Sequence, residues 1–155
     1  MPEIARVFKQ IAMGETSKSA TEALERGFLK PSDVIIFHPA ELLYVAKQQA
    51  RAMADSGVRP PLAPAQIPVM GNTGVATLQM MLINMKEGGF ISEHDYEISS
   101  RIAHALCGGD VEPGSLVDEK WLLDLERHHF VELAKTPKTQ ERIEAMLKTG
   151  KPLRN

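Results

Sequence analysis

The chain closes on SLVDEKWLLDLERHHFVELAKTPKTQERIEAMLKTGKPLRN (residues 115–155), the stretch in which local signals agree best. Ser115 and Asp118 have the spacing of a capping box, in which a hydroxyl and a carboxylate satisfy the free N–H groups of a starting helix. Apolar residues then recur along one face of that helix: Leu116, Trp121, Leu122, Leu125 and Leu133. Thr136 and Pro137 end it and begin a second helix, because threonine can cap and proline fits the first helical position. Two amphipathic helices with charged outer faces predict a docking and assembly element, not a reaction centre.

The composition is that of an ordinary globular protein of about one domain. Of the 155 residues, 43% are hydrophobic and 25% are charged, and a formal net charge of −2 gives no field that would attract nucleic acid or an anionic membrane. No apolar run approaches the ~18 residues of a membrane span. The single cysteine, Cys107, excludes an internal disulfide and favours a cytoplasmic location.

Helical periodicity extends over most of the remaining chain. Apolar residues at helical spacing, closed by glycine, predict helices at 3–13, 20–26, 40–56 and 75–87, and a further helix capped by Ser92 and Asp95. The only stretches typical of strands are 28–29 and 34–37. We therefore predict about seven helices and one or two short strands, a mostly α fold.

One stretch has the composition of a boundary. Four prolines and Gly71 lie between residues 58 and 73. Such a segment is extended and stiff. We predict that it connects residues 1–57 to a helical oligomerisation region at 74–155.

Glycines give no nucleotide-binding motif. Gly71-Asn-Thr-Gly74 precedes a predicted helix, but no Gly-Lys-Ser/Thr follows, so a helix-entry turn is favoured over a phosphate loop. The sequence contains no G-x-G-x-x-G fingerprint, and a dinucleotide-binding unit is therefore not predicted.

One histidine has the spacing of a metal ligand. Glu126 and His129 have the E-x-x-H spacing that places a carboxylate and an imidazole on one helical face, but di-iron bundles need two such pairs and two further carboxylates. Surface polar residues on an amphipathic helix are the favoured interpretation. His38, His94 and His104 are scattered along the chain without a zinc spacing.

No reacting group stands out. Cys107 lies at a predicted helix C-terminus, where the helix dipole raises the pKa of a thiol, so a small buried hydrophobe is favoured over a nucleophile. Asp118 and Glu119 stand on a helix cap, where carboxylates meet the free N–H groups. We predict no catalytic residue in this chain.

The last residues are cationic. Lys148, Lys151 and Arg154 occur with no acidic side chain between residues 145 and 155. Such an end is either simply solvated or able to contact the phosphate of a ligand that is bound elsewhere.

Two stretches resemble a known family. In MGETSKSATEALERGFL (residues 13–29), four residues match a Ser-Ala-x-x-Ala-x-x-x-Gly pattern that follows the active-site strands of crotonases, the enoyl-CoA hydratase superfamily: Ser19, Ala20, Ala23 and Gly27. LDLERHHF, KTPKTQERI and MLKTGKPLRN, from the closing stretch, are similar to the end of bacterial proteins that fuse 3-hydroxyacyl-CoA dehydrogenase to enoyl-CoA hydratase in fatty-acid β-oxidation.

The resemblance implies the helical C-terminal portion of a crotonase-like domain, with its strands left from the last turn of a β-spiral. Crotonases carry their oxyanion-hole amides and two catalytic glutamates upstream of the matching helix, so those groups are expected outside this chain. NAD and a coenzyme A thioester are expected only for a full-length parent. Because a lysine near the end of crotonases reaches the coenzyme A phosphates, Lys148 and Lys151 are the candidate coenzyme A contacts.

Three hypotheses follow. The leading one is a C-terminal part of such a fusion protein, inactive alone, that contributes subunit contacts and forms a homo-oligomer. A rival is a free-standing helical scaffold or protein-binding module derived from such an enzyme. The third is a bundle with one metal site.

Overall fold

The computed structural model describes residues 2–60, 62 and 66–155. Within these residues the chain forms seven α-helices and two short strands, which confirms the predicted mostly α fold. A 3-10 turn at Pro39–Glu41 leads into the third helix. The elements are α1 (Pro2–Ala12), α2 (Ala20–Glu25), α3 (Leu42–Asp55), β1 (Ile67–Pro68), α4 (Gly71–Glu87), α5 (Glu93–Leu106), β2 (Leu116–Val117), α6 (Glu119–Ala134) and α7 (Pro137–Thr149).

Two predicted caps are confirmed. At the start of α5, Ser92 Oγ accepts a hydrogen bond from the Asp95 N–H and the Asp95 carboxylate accepts one from the Ser92 N–H, both at 3.1 Å. Thr136 caps α7 with Pro137 in its first turn. These local bonds satisfy N–H groups that the helix itself cannot pair, so short-range sequence fixes both helix starts.

The predicted capping box at Ser115 is wrong. Asp118 is the N-cap of α6, and its Oδ1 accepts a hydrogen bond from the Trp121 N–H at 2.7 Å. Ser115 instead lies in an extended segment, where its carbonyl accepts from the Val69 N–H at 3.0 Å. The pairing of β2 with β1 takes this segment out of the helix.

The predicted strand positions are also wrong. Residues 28–29 and 34–37 form no strand, and Phe37 is 93% exposed. The two strands of the described residues pair antiparallel, with Ile67 opposite Val117 and Pro68 opposite Leu116. A strand needs a partner for its backbone groups, and apolar composition alone does not supply one.

The predicted start of α4 at residue 75 is four residues late, because Gly71-Asn-Thr-Gly74 forms its first turn. Gly71 has φ +53°, and a Cβ there would lie 2.0 Å from the Val111 carbonyl oxygen. A Cβ on Gly74 would meet Cys107 Sγ at 2.8 Å. Both glycines therefore allow the backbone of α4 to approach the segment that follows α5. Part of the predicted 58–73 connection, residues 61 and 63–65, lies outside the described residues.

The chain divides into two compact units: a larger unit, Met1–Glu15 with Pro64–Asn155, and a smaller unit, Thr16–Ala63. In the larger unit α5 packs against α4, α1 and α6. Its buried core consists of Phe8, Val75, Leu78, Leu82, Ala103 and Cys107. The sequence-based division at 1–57, 58–73 and 74–155 stays a prediction.

The smaller unit contains α2, the 3-10 turn and α3. Among its described residues only Ala23 is buried. No residue of α3 is buried, and Leu43 and Tyr44 are 81% and 66% exposed. Its helices therefore end with local caps but enclose no core.

Candidate docking groove

An apolar groove of about 790 Å³ runs over α5 and α6 of the larger unit, with Ile11 of α1 at its side. The groove is lined mainly by large apolar side chains: Ile11, Ile98, Ile102, Leu106, Leu122, Leu123, Phe130 and Leu133. Three of these, Ile11, Leu123 and Phe130, are 49–64% exposed. Apolar surface of this kind costs free energy in water, so the groove is a candidate docking site.

Helical periodicity produces the groove. On α6 the lining residues Leu122, Glu126, His129 and Leu133 are three or four positions apart, and on α5 Ile98, Ile102 and Ala105 follow the same spacing. Each set forms one stripe along its helix, and the two stripes meet where α5 packs on α6. The predicted apolar stripe of α6 is confirmed in part, although Trp121 is 46% exposed.

Charged residues of both signs also line the groove. Arg101, Arg127, Glu119 and Glu126 contribute to its walls. Arg101 is held by Glu97 at 3.2 Å and Arg127 by Asp124 at 3.3 Å. Mixed charge around an apolar floor is typical of a surface that receives a protein segment.

A pair of histidines joins the two helices of the groove. His129 Nε2 of α6 lies 2.8 Å from His104 Nδ1 of α5, and His104 Nε2 lies 3.3 Å from the Asp110 carboxylate. The predicted surface position is therefore right for Glu126, which is exposed, and only partly right for His129, which is half-buried, and His104 is not isolated. The signal was available in the sequence, because His129 lies on the apolar stripe between Leu125 and Leu133.

The pair has a preferred proton arrangement. The Asp110 carboxylate favours the proton of His104 on Nε2, which leaves His104 Nδ1 to accept from the His129 Nε2–H. His129 Nδ1 is then an acceptor, and this atom is shielded from water without a hydrogen-bond partner among the described residues. Burial, together with electrostatic effects of His104, Arg101 and His128, lowers the pKa of His129 and so favours its neutral ring.

A second, polar cleft of about 520 Å³ lies beside α5 and includes His94. His94 is 2% exposed, and its Nε2 lies 2.9 Å from Thr139 Oγ1 of α7. Its Nδ1 lies 3.5 Å from the Glu97 carboxylate. Both ring nitrogens thus have partners, and the contact between His94 and Thr139 links α5 to α7.

The last residue, Asn155, is held against the start of α5, although Lys148, Lys151 and Arg154 before it are exposed. Arg142 Nη1 lies 2.7 Å from Asp95 Oδ1, and Arg142 Nε donates to Asn155 Oδ1 at 2.7 Å. Ser92 Oγ donates to the Asn155 carbonyl at 3.0 Å. Burial raises the pKa of Asp95, but hydrogen bonds from Arg142 and Ser92 outweigh it and the pKa of this carboxyl is lowered.

The two candidate coenzyme A contacts lie on the surface. Lys148 Nζ is ion-paired with Glu144 on α7, one helical turn away. Lys151 is exposed beyond the end of α7, where its N–H donates to Thr149 Oγ1 at 3.1 Å. Their role toward coenzyme A stays a prediction.

The packing of the larger unit shows the environment of Cys107. Cys107 is fully buried in the core, and burial raises the pKa of its thiol, as expected of a structural residue.

Within residues 2–60, 62 and 66–155, no three potential ligands among His, Cys, Asp and Glu converge as a metal site requires. In the same part of the chain no helix has the length and apolar content to cross a bilayer.

Comparison with known proteins gives one informative match. The chain is 44% identical over 150 residues to a probable 3-hydroxyacyl-CoA dehydrogenase of Bacillus subtilis (strain 168). The alignment includes 97% of this chain but 19% of the relative, so the chain spans about a fifth of the relative's length. No protein-family model and no solved structure matches the chain.

Proposed function

We propose that this chain acts as part of a 3-hydroxyacyl-CoA dehydrogenase of fatty-acid β-oxidation, fused to an enoyl-CoA hydratase activity in the same cytoplasmic polypeptide. The observation that carries the proposal is the match of nearly the whole chain, at 44% identity, to about a fifth of a probable 3-hydroxyacyl-CoA dehydrogenase. The hydratase part rests on the crotonase-like motif at Ser19, Ala20, Ala23 and Gly27.

The contribution of the chain is contact surface. Its polar clusters are engaged in holding helices together: His94 ties α5 to α7, His104 meets His129 between α5 and α6, and Arg142 binds Asp95 and the chain end. Several large apolar side chains, among them Phe130 and Leu147, are in contrast exposed. NAD and the acyl-CoA thioester then bind to groups on the rest of the polypeptide, and the chain alone does not turn over substrate.

Two further contacts belong to this proposal. Lys148 and Lys151 lie at one exposed end of α7 and can reach the phosphates of coenzyme A once Lys148 exchanges its Glu144 partner. Exposed apolar side chains of the same helix, Met146 and Leu147, are 47% and 82% exposed and serve homo-oligomer contacts.

The test is a chimera in which this chain replaces the matching segment of the Bacillus subtilis relative. We expect the chimera to oxidise a 3-hydroxyacyl-CoA with NAD, and the relative without that segment to lose this activity. The isolated chain should neither oxidise 3-hydroxyacyl-CoA nor hydrate crotonyl-CoA. Turnover by the isolated chain, or full activity of the shortened relative, would contradict the proposal.

A further inference from the structure

The helix α7 contributes no side chain to the buried core of the larger unit. None of its residues is buried, and Ile143, Met146 and Leu147 are 43%, 47% and 82% exposed. We propose that residues 150–155 form a clasp that holds α7 against the start of α5, and that Asn155 is the residue through which the clasp closes. This inference goes beyond the proposed function, because it rests only on contacts within the larger unit.

The clasp segment turns back along the helix that precedes it. Gly150 ends α7 in the left-handed conformation, with φ +66°, and its N–H donates to the Met146 carbonyl at 2.9 Å. A residue without a Cβ adopts this conformation at low cost, so the chain can reverse there. Asn155 Nδ2 then donates to the Lys138 carbonyl at 3.2 Å and to the Glu141 carboxylate at 2.7 Å. The segment therefore runs from the last turn of α7 back to its beginning.

Arg142 joins the clasp segment to α5. Its Nε donates to Asn155 Oδ1 at 2.7 Å, and its Nη2 donates to the Asn155 carbonyl at 3.2 Å. Its Nη1 donates to Asp95 Oδ1 at 2.7 Å. All three nitrogens of the guanidinium are thus engaged, and the side chains of Arg142 and Asp95 are each 18% exposed. Because a planar guanidinium holds its donors in fixed directions, these bonds orient Asn155 as well as Asp95.

The capping box of α5 supplies the other half of the clasp. Asp95 Oδ2 accepts from the Ser92 N–H within the cap, which leaves Oδ1 for Arg142. Ser92 Oγ accepts from the Asp95 N–H and donates its own proton to the Asn155 carbonyl at 3.0 Å. The groups that begin α5 therefore also bind the segment, and the helix cap and the clasp share one hydrogen-bond network.

The contacts fit an asparagine side chain at both of its polar atoms. Asn155 Oδ1 accepts from Arg142, and Nδ2 donates to the Lys138 carbonyl and the Glu141 carboxylate. Aspartate has the same shape but no donor when ionised, so its second oxygen would face two acceptors. If the charge of Arg142 alone held the segment, aspartate would be held as well or better. The contacts therefore favour asparagine over aspartate at this position.

Hydrogen exchange of the full chain tests the proposal, because it measures the opening of each helix separately. Asn155→Ala removes the side-chain contacts of the clasp. We expect the backbone amides of α7 to exchange at least about tenfold faster in this variant, while those of α4 around Leu78 and Leu82 change little. Glu144→Gln is the matched control, because it breaks an exposed ion pair with Lys148 on α7 and leaves the clasp intact. It should change exchange in α7 by less than about twofold.

Three results would overturn the proposal. The first is unchanged exchange of α7 in Asn155→Ala. The second is equally faster exchange in α4, since Asn155 would then stabilise the whole larger unit and not α7 in particular. The third is a comparable acceleration in Glu144→Gln, since α7 would then respond to the loss of any side-chain contact.

Asn155→Asp tests the preference for an amide. We expect exchange of α7 to rise toward the rate of Asn155→Ala, although the substitution adds a negative charge beside Arg142. Glu141→Gln keeps an oxygen that accepts from Asn155, so this variant should behave like the unsubstituted chain. Combined with Asn155→Asp, it offers an amide donor to the new carboxylate and should restore part of the protection. Full protection in Asn155→Asp, or no rescue in the double variant, would refute the role of the Nδ2 contacts.

Discussion

The helices of the two units differ in how far their apolar faces are buried. In the larger unit Leu78, Ala103 and Cys107 are completely buried, and α5 touches three other helices. In the smaller unit, α3 has the same number of residues as α5, yet it has no buried side chain. Both helices have an apolar stripe, and only one of the two stripes is covered.

The comparison shows that an apolar stripe predicts a helix but not its partner. Isolated helices of 14 residues are marginal in water, and most helix stability in proteins comes from packing an apolar face. We therefore expect α3 to depend on polypeptide beyond the smaller unit. The same reasoning applies to the half-exposed groove over α5 and α6.

The largest expected difference between the units is in the free energy of unfolding that is lost when a leucine is truncated to alanine. Leu78→Ala removes a fully buried side chain and should lower the free energy of unfolding by about 2–5 kcal/mol. Leu43→Ala, on the 81% exposed position of α3, should change it by less than about 0.5 kcal/mol. Urea unfolding measures both. A comparable cost at Leu43 would mean that the smaller unit has a packed core after all.

A smaller effect tests the close contact between helices of the larger unit. Gly74→Ala places a methyl group against Cys107 Sγ and Met70 Cβ, and should destabilise the protein by about 1–3 kcal/mol. Thr73→Ala, at the exposed neighbouring position in the same helix, is the control and should be close to neutral. Thermal unfolding of the two variants decides the matter, and equal melting temperatures would contradict tight packing at Gly74.

The third prediction compares a long-range ion pair with a local one. Arg142→Met breaks contacts to Asp95 and Asn155 and should cost about 1–3 kcal/mol near neutral pH. Arg26→Met, which breaks the i,i+4 pair with Glu22 in the smaller unit, should cost less. If both substitutions lower the free energy of unfolding equally, the contacts of Arg142 with Asp95 and Asn155 stabilise the larger unit no more than a local ion pair does.

The Arg142 contribution also depends on pH with a definite sign. Folding lowers the pKa of Asp95, so the stabilisation is complete above its ordinary value of about 4 and is lost as the pH falls through the lower folded value. The difference in unfolding free energy between the parent and Arg142→Met should therefore shrink in acid. A difference that stays constant down to a pH of about 2 would show that Asp95 is not the partner that matters.

The smallest effect concerns the histidine pair. Folding lowers the pKa of His129, so the unfolded chain binds a proton first and stability falls as the pH drops below about 6.5. His129→Phe should flatten this part of the stability profile. Unfolding at a series of pH values between about 5 and 8 measures the slope, and an identical slope in the variant would show that the pair does not titrate with folding.

Much of the local structure could be predicted from the sequence. The caps at Ser92 and Thr136 and the turn glycines locate helix ends, because each signal acts over a few residues. The burial of Cys107 could also be expected from its place after an apolar stripe. Both walls of the candidate groove could be predicted as apolar stripes of α5 and α6, but the meeting of the two stripes could not, since the helices are separate in sequence.

By itself, the sequence determined the number of helices, most of their ends and the amphipathic character of their faces. Tertiary structure decided the rest: the strand pairing that moves the start of α6 to Asp118, the meeting of His104 with His129, and the docking of Asn155 on Ser92 across 63 positions of sequence. The physical reason is the distance along the sequence over which each interaction acts. Caps and periodicity are set by neighbours within one or two turns, whereas pairing, burial and the fate of an apolar face depend on which distant residues arrive beside them.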